Sequence, residues 1–175
     1  NLPDHDAYVP VKIVSADGAE VLSYEDALKM GMAFEPPDVN RGGYRFEPVS
    51  DRLIRYGLGA VKGTGQLAIE AIVAAREGRG EGPNGDEKGP FTSLFNFCLR
   101  VDRQRINKRT VEALIKAGAF DAIHLNRAEL LASVDVAFEY AATSQANANQ
   151  GGLFDMLGGD DHGSSTQEPA YVATT

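Results

Sequence analysis

The sequence predicts a mainly α-helical chain, in which paired helical hairpins follow a small mixed α/β segment with a short strand pair and precede a flexible C-terminal tail. Apolar residues recur at helical spacing over residues 66–76 and 125–141. Glycine-containing turns at 57–65 and 117–121 punctuate the helical part. From Gly158 onward the chain is acidic and rich in small residues, a composition that does not form a core.

Composition restricts the class of protein. The 175 residues suffice for one domain or two small ones, and 43% hydrophobic residues with a mean hydropathy of -0.25 allow a buried core. No apolar run approaches the roughly 18 residues of a membrane-spanning helix, so no membrane partner is expected. The single cysteine, Cys98, excludes an internal disulfide and fits a reducing cytoplasm, which is the expected location. No signal peptide is apparent, and the start at Asn1 rather than Met suggests an excised fragment.

The charge distribution indicates a local grip on anions. A net charge of -8 argues against a protein that binds nucleic acid over its whole surface. Residues 41–66 nevertheless hold five basic against two acidic residues, and residues 99–116 hold six against two. Acidic residues concentrate over residues 77–87 and in the tail. Two basic patches on an acidic chain suit contact with a few phosphates.

The N-terminal part predicts a few short elements. Weak alternation over Tyr8–Val14 favours a strand, and Ser23 with Asp26 at N3 predicts the start of a helix over Tyr24–Met30. The prolines Pro36–Pro37 stop any helix and hold the chain extended as a rigid connector. A short strand pair follows, made by residues 44–48 and 53–58 with a turn at residues 51–52.

A glycine-rich hairpin is the main candidate site. In Gly57–Gly65, the turn Gly63–Gly65 should expose backbone N–H groups, and Lys62 precedes it. The helix Gln66–Arg76 begins at that turn, so its positive dipole end points the same way. This arrangement predicts an anion site, and phosphate is the preferred anion. The pattern resembles the helix-hairpin-helix motif of DNA-binding proteins, which implies a hold on one backbone phosphate without reading of bases.

Other glycine-rich sites fit this hairpin less well. Gly-x-Gly before a helix is common in proteins without a phosphate site. A Rossmann loop needs a third glycine and a preceding buried strand, and the spacing here does not supply them. A Walker loop needs Gly-Lys-Ser/Thr, whereas Lys62 precedes its glycine.

The second half of the chain predicts one loop and three helices. Residues 77–89 are rich in glycine, proline and charge, with nothing to bury, and are expected to form a flexible surface loop. The expected helices are 94–99 after a cap at Thr92 or Ser93, 108–116 after a cap at Asn107, and a helix that starts near residues 125–127 and runs to 141. Residues 143–149 are polar and are expected to be weakly structured.

The hairpin sequence has a weak internal repeat later in the chain. Val61–Gly65 lies 54 residues before Ile115–Ala119, and both stretches follow an apolar helix end and precede another helix. The second copy has lost two glycines, so it should expose its amides less well. Two such units predict one tandem helix-hairpin-helix domain, in which the second serves mainly as scaffold. An ordinary helical hairpin after Gly118 is the alternative.

Taken together, the motifs resemble the alpha (catalytic) subunits of bacterial DNA polymerase III over about residues 24–157. Six segments agree in order and spacing: Pro36–Asn40, Tyr56–Gly65, Gly89–Phe91, Asn107–Arg109, Glu112–Asp121 and Asn126–Ala128. The resemblance places the chain at the end of the fingers, followed by the tandem helix-hairpin-helix and clamp-binding region.

The resemblance and the composition together divide the chain into four parts. They are the end of the fingers or small α+β segment (1–56), the tandem helix-hairpin-helix domain (57–142), a linker with a clamp-binding peptide (143–157) and a disordered tail (158–175).

The resemblance implies two binding roles in processive DNA replication. The first is a sequence-independent grip on double-stranded DNA by Lys62, Gly63, Thr64 and Gly65, with Asn107, Lys108 and Arg109 contributing from the second unit. The second is binding of the beta sliding clamp. There Leu153 and Phe154 would fill an apolar pocket, and Gln150 would supply hydrogen bonds. The remainder of the alpha subunit and the holoenzyme are the other implied partners.

No catalytic site is expected in this chain. Two-metal phosphoryl transfer needs clustered carboxylates, whereas the acids here lie in loops, on helix exteriors and in the tail. His5, His124 and His162 lack ligand spacing, so no metal or other cofactor is expected here, although the full polymerase would use Mg²⁺. A structural scaffold without binding activity and a domain of a DNA repair nuclease or ligase are the alternatives.

Overall fold

A computed structural model describes residues 12–14, 21–156 and 167–175, with side chains for residues 23–150 and 167–175. Eleven elements follow in chain order within these ranges: β1 (Lys12–Val14), β2 (Val21–Ser23), α1 (Tyr24–Lys29), β3 (Ala33–Glu35), β4 (Glu47–Ser50), β5 (Leu53–Arg55), a 3-10 helix (Leu58–Ala60), α2 (Gln66–Arg76), α3 (Leu94–Arg100), α4 (Lys108–Lys116) and α5 (Arg127–Met156). The predicted mainly helical class with a small mixed segment is confirmed. None of the helices described is both long and apolar enough to cross a membrane.

The mixed segment contains two small sheets. Strands β1 and β2 pair antiparallel, with Ile13 opposite Leu22. The second sheet has the order β3-β5-β4, in which β4 pairs antiparallel with β5 and β3 pairs parallel with it. The predicted strand pair is therefore confirmed with other bounds, since β4 lies at Glu47–Ser50 instead of residues 44–48 and β5 is shorter than residues 53–58. Strand β3 was not predicted, because it ends just before Pro36 and its partner lies beyond an intervening strand.

Aromatic rings join helix α1 to this second sheet. The ring centroids of Tyr24 and Phe34 lie 4.7 Å apart, and those of Phe46 and Tyr56 lie 4.6 Å apart. Helix α1 begins as predicted, because Ser23 and Asp26 form a reciprocal capping box. The short helix is thus held by its cap and by ring packing.

The connector after β3 ties the sheet to the helices. The Val39 amide donates to the carbonyl of Ala119 at 3.0 Å. Arg76 of α2 donates through Nη1 to the carbonyls of Val39 and Gly42, each at 2.8 Å. Burial lowers the pKa of the Arg76 guanidinium, although nearby carboxylates oppose this shift. These contacts hold the connector against the helices, in addition to the restriction that its prolines place on the backbone.

Helices α2 to α5 enclose the main core. Two predicted caps are confirmed: the Ser93 side chain accepts from the Asn96 amide, and the Asn107 side chain accepts from the Thr110 amide. The core is formed by buried apolar side chains from all four helices and the turns between them, including Leu58, Ile69, Ile72, Leu94, Phe97, Leu114, Ile115, Phe120, Leu130 and Ala137.

The loop over residues 77–89 packs tightly, in contrast to the expectation that it has nothing to bury. Arg100 is fully buried, and its Nη2 donates to the carbonyls of Ala75, Glu87 and Gly89 at 2.7–3.0 Å. A Cβ on Gly80 would stand 2.0 Å from the Arg100 carbonyl oxygen. The loop is therefore ordered by a charged side chain that satisfies its carbonyls, and such a partner cannot be identified from loop composition.

The structure also differs from the prediction at the C-terminal end. Helix α5 continues without a break to Met156, so the expectation of weak structure at residues 143–149 is wrong. Alanine and glutamine in that stretch are helix formers, and no proline interrupts it. Within the expected tail, residues 167–175 are described and Tyr171 packs against the core. The tail residues 158–166 lie outside the described residues.

Candidate nucleic-acid interface

The first hairpin is held from its inner side. It follows the 3-10 helix, whose Leu58 is fully buried, and it reverses direction at Gly63, where φ is +86°. The hydroxyl of Thr64 donates to the carbonyls of Leu58 and Val61 at 2.9 and 2.6 Å. These bonds hold the threonine inward, so the turn presents its backbone and not its side chains to the outside.

The outer side of this hairpin is open. Gly65 is the N-cap of α2 and offers no side chain to its first amides, which have no acceptor within an α-helix. A Cβ built on Gly65 would meet no atom within 4 Å. The N-terminus of an 11-residue helix therefore faces open space with its amides and its dipole.

Helix α4 supports the hairpin from the side. The Thr110 hydroxyl donates to the Gly63 carbonyl at 3.3 Å. A Cβ on Gly63 would lie 3.8 Å from the Cβ of Ala113, which is ordinary contact. The first hairpin and the second unit are therefore packed together, and side chains of α4 lie beside the open turn.

A cationic groove is formed where these two units meet. Its lining consists of Lys62 from the hairpin and Arg109, Glu112, Ala113 and Lys116 from α4. Within the described side chains, none of the three cations forms an ion pair. Three cations against one carboxylate leave a local positive charge on an acidic chain.

The three predicted residues of the second unit lie in different surroundings. Asn107 caps α4 and accepts from both the amide and the hydroxyl of Thr110. Lys108 bonds Asp135 of α5 at 2.7 Å, and this bond raises the pKa of the Lys108 ammonium. Arg109 alone of the three lines the groove.

Lys116 was not among the predicted site residues. It lies in the last turn of α4 and lines the groove with Lys62. The sequence repeat between Val61–Gly65 and Ile115–Ala119 aligns these two lysines. That alignment was the feature of the sequence from which Lys116 could have been predicted as a site residue. Within these two stretches the glycines with positive φ are Gly63 and Gly118, so the two backbones correspond one residue out of register with the sequence repeat.

The second hairpin is covered. Gly118 has φ of +89°, and a Cβ there would stand 2.6 Å from Nη2 of Arg127. Arg127 forms two bonds with the Asp121 carboxylate, at 2.9 and 2.6 Å, and so lies across the turn. The amides of Gly118 and Ala119 donate to carbonyls of α4. This turn is a helix C-cap with its donors already used.

The other predicted features are the clamp-binding peptide and Cys98. Helix α5 includes the backbone of Gln150–Phe154, and Gln150 is exposed, whereas the side chains of Leu153 and Phe154 lie outside the described residues. Cys98 is buried in the core, as expected, and desolvation raises the pKa of its thiol to about 12.

Metal-ligating residues do not cluster in the part of the chain that the structure describes, where no group of three or more occurs. His124 bonds Glu129 at 2.6 Å. His5 and His162 lie outside the described residues.

Residues 31–130 match the family model of the helix-hairpin-helix motif, which covers more than half of the chain. The chain therefore belongs to the helix-hairpin-helix family, and the hairpin, groove and covered second turn lie inside the matched region.

The curated relatives to which the chain is similar are DNA polymerase III alpha subunits. The chain is 52% identical over 134 residues to that subunit of Neisseria meningitidis serogroup B, covering 77% of this chain and 11% of the subunit. It is 41% identical over 133 residues to that of Caulobacter vibrioides, covering 75% of this chain and 11% of the subunit. It is 40% identical over 158 residues to that of Thermus aquaticus, covering 85% of this chain and 12% of the subunit.

These relatives confirm the resemblance that the sequence motifs indicated. The chain is homologous to DNA polymerase III alpha subunits and spans about a tenth of their length.

Proposed function

We propose that this chain binds double-stranded DNA through backbone phosphates and acts in replication as part of a DNA polymerase III alpha subunit. The observation that carries the proposal is the open N-terminus of α2 beside a groove whose three cations form no ion pair with any of the side chains that the structure describes. Membership of the helix-hairpin-helix family and homology to replicative subunits support a DNA-binding role in replication.

The hairpin is suited to one phosphate. Backbone amides of Gly63, Gly65 and the first residues of α2 would donate to the phosphate oxygens, with Lys62 as the adjacent cation, whereas the Thr64 amide already donates to the Val61 carbonyl at 3.3 Å. Thr64 keeps its hydroxyl turned inward and so sets the shape of the turn instead of donating outward.

The groove extends the grip beyond that phosphate. Arg109 and Lys116 belong to α4, far from Lys62 in the sequence, and they line the same groove as Lys62. Their charges suit a neighbouring phosphate of the same duplex, whereas Glu112 opposes it. Because all these groups address phosphate and none reads a base edge, binding would be independent of sequence, as a replicase requires.

Salt-dependent titration tests the DNA grip. We expect Lys62→Ala to weaken binding several-fold on two unrelated duplexes and to reduce the slope of log K against log salt by about 1. Fluorescence anisotropy at several salt concentrations measures both quantities. Lys29→Ala in α1 removes the same charge away from the groove and serves as the control. Equal losses in the two variants would overturn the proposed site.

We propose a second role, binding of the beta sliding clamp through Gln150, Leu153 and Phe154. Leu153 and Phe154 supply the apolar contact, and Gln150 the directional hydrogen bonds. The backbone of this peptide lies in the last turns of α5. Gly151 and Gly152 each cost a helix about 1 kcal/mol relative to alanine, so these turns can open at low cost when a pocket becomes available.

Clamp binding is tested by replacing both apolar residues. We expect Leu153→Ala combined with Phe154→Ala to abolish binding to a purified sliding clamp in surface plasmon resonance. Gln145→Ala, one to two turns earlier on α5, is the matched control and should bind as the parent chain does. Unchanged affinity in the double variant would remove the clamp role.

In this proposal the remainder of an alpha subunit and the holoenzyme are further partners, and catalysis with Mg²⁺ belongs to other parts of such a subunit. The covered second hairpin favours a partly structural role for the second unit. If the variants above kept both DNA binding and clamp binding, that result would favour a structural scaffold role for the whole chain.

A further inference from the structure

The C-terminal segment at residues 167–175 contacts α3 and His124, just before α5, through Tyr171, and α5 through the backbone of Val172. The Tyr171 ring stacks on the His124 ring with centroids 4.0 Å apart and an interplanar angle of 18°. Its centroid is 5.0 Å from that of Phe95. The Tyr171 hydroxyl accepts from the Leu94 amide at 3.0 Å. One side chain thus makes two ring contacts and one hydrogen bond.

The hydrogen bond reaches an amide that a helix leaves without an acceptor. Leu94 is the first residue of α3, so its N–H has no partner within the helix. Ser93 caps the same helix but accepts from the Asn96 amide. The first turn of α3 is therefore capped by two residues, Ser93 and Tyr171, which lie 78 residues apart in the sequence.

The receiving surface is itself held in place by hydrogen bonds. The Ser133 hydroxyl, fully buried on α5, donates to the Glu129 carbonyl at 2.7 Å and accepts from the Val172 amide at 2.8 Å. The Glu129 carboxylate bonds Nε2 of His124 at 2.6 Å, which orients the ring on which Tyr171 stacks. The backbone and the side chain of the segment thus both meet prepared partners.

We propose that this surface is a docking groove for a tyrosine-bearing extended segment, that its occupant is this chain's own residues 169–173, and that the segment is an integral part of the helical unit. Docking returns the chain from α5 to the start of α3. The inference concerns contacts away from the cationic groove and does not rest on DNA or clamp binding.

The composition of the groove explains why tyrosine is the anchor. Phe95 and His124 provide aromatic surface, which any aromatic ring could use, while the Leu94 amide requires an acceptor at the far end of that ring. Phenylalanine would keep the packing and lose the acceptor. Alanine would lose both and would uncover the faces of Phe95 and His124.

Amide hydrogen exchange in the 175-residue chain tests the docking. We expect exchange at Leu94 to accelerate at least tenfold in Tyr171→Ala, since its acceptor and cover are both lost, and by a smaller factor in Tyr171→Phe. The Asn96 amide, which Ser93 holds, is the internal reference and should change little. Val172→Ala is the control variant, because Val172 bonds Ser133 through its backbone and its side chain is 39% exposed.

Two outcomes would overturn the proposal. One is equal Leu94 exchange in the parent chain and in Tyr171→Ala. The other is the absence of nuclear Overhauser contacts between the Tyr171 and His124 rings in the parent chain. Acceleration at Leu94 in Tyr171→Phe with an unchanged Asn96 would support it and would separate a lost acceptor from general unfolding.

Discussion

The two hairpins of this chain share a backbone reversal and differ in what covers it. Gly63 and Gly118 have φ of +86° and +89°; Gly118 directly follows the buried Ala117, and Gly63 comes two residues after the buried Val61. The first turn opens onto free space at Gly65, whereas Arg127 and Asp121 lie across the second. A turn of the right shape is therefore not sufficient for an anion site, because its amides must also be unoccupied and accessible.

The comparison also explains how the two units cooperate. The second unit does not offer its turn amides, but through Arg109 and Lys116 it supplies two of the three cations of the groove. It also supports the first turn through Thr110. The second unit thus contributes side chains and packing, while the first unit contributes backbone donors.

The largest expected effect is a difference in the free energy of unfolding between alanine variants of the two glycines. Gly118→Ala should lower the free energy of unfolding by about 2 kcal/mol, because positive φ is strained for alanine and the new Cβ would press on Arg127. Gly63→Ala should cost only about 1 kcal/mol, since its Cβ would meet Ala113 at ordinary distance. Urea denaturation measures both. A larger loss at Gly63 would contradict the assignment of the covered and open turns.

A smaller effect concerns the inner support of the first turn. Thr64→Val should lower the free energy of unfolding by about 1 kcal/mol, because two carbonyls lose their hydroxyl donor. Thr64→Ser keeps the hydroxyl and should stay closer to the parent in the same denaturation experiment. If the two variants unfolded alike, the hydroxyl would not be what holds the turn.

The smallest effects test which charged side chains of α4 contribute to DNA binding. Lys116→Ala should weaken duplex binding about threefold, consistent with the loss of one phosphate contact, whereas Lys108→Ala should change it little because Lys108 pairs with Asp135. Anisotropy titration at low salt measures the difference. Glu112→Gln should strengthen binding slightly, since it removes the carboxylate from the lining. Equal losses for the two lysines would contradict the orientation of α4.

Much of the local structure could be predicted because its causes lie within a few residues. The caps at Ser23, Ser93 and Asn107 use a side chain and an amide three residues apart, so the sequence states both partners. The bounds of α4 follow from its Asn107 cap and from apolar spacing, and those of α2 follow from the glycine turn before it and from apolar spacing. The hairpin at Gly63–Gly65 was also identified from adjacent residues.

The partners of the candidate site could not be predicted at the same level. Lys108 and Arg109 are adjacent and both basic, yet one pairs with α5 and the other lines the groove. The 77–89 loop and the end of the chain present the same difficulty, because their partners are Arg100 and the His124 surface. Composition describes a segment but not the distant group that satisfies it.

Local chemistry alone thus dictates where this chain begins its capped helices and which residues can form a tight glycine turn. Packing of the whole chain sets which of the two turns stays open, which cations share a groove and where Tyr171 lies. The physical reason is the range of the interactions. Capping and backbone preference act over a few residues, whereas burial and ion pairing depend on neighbours that only folding brings together.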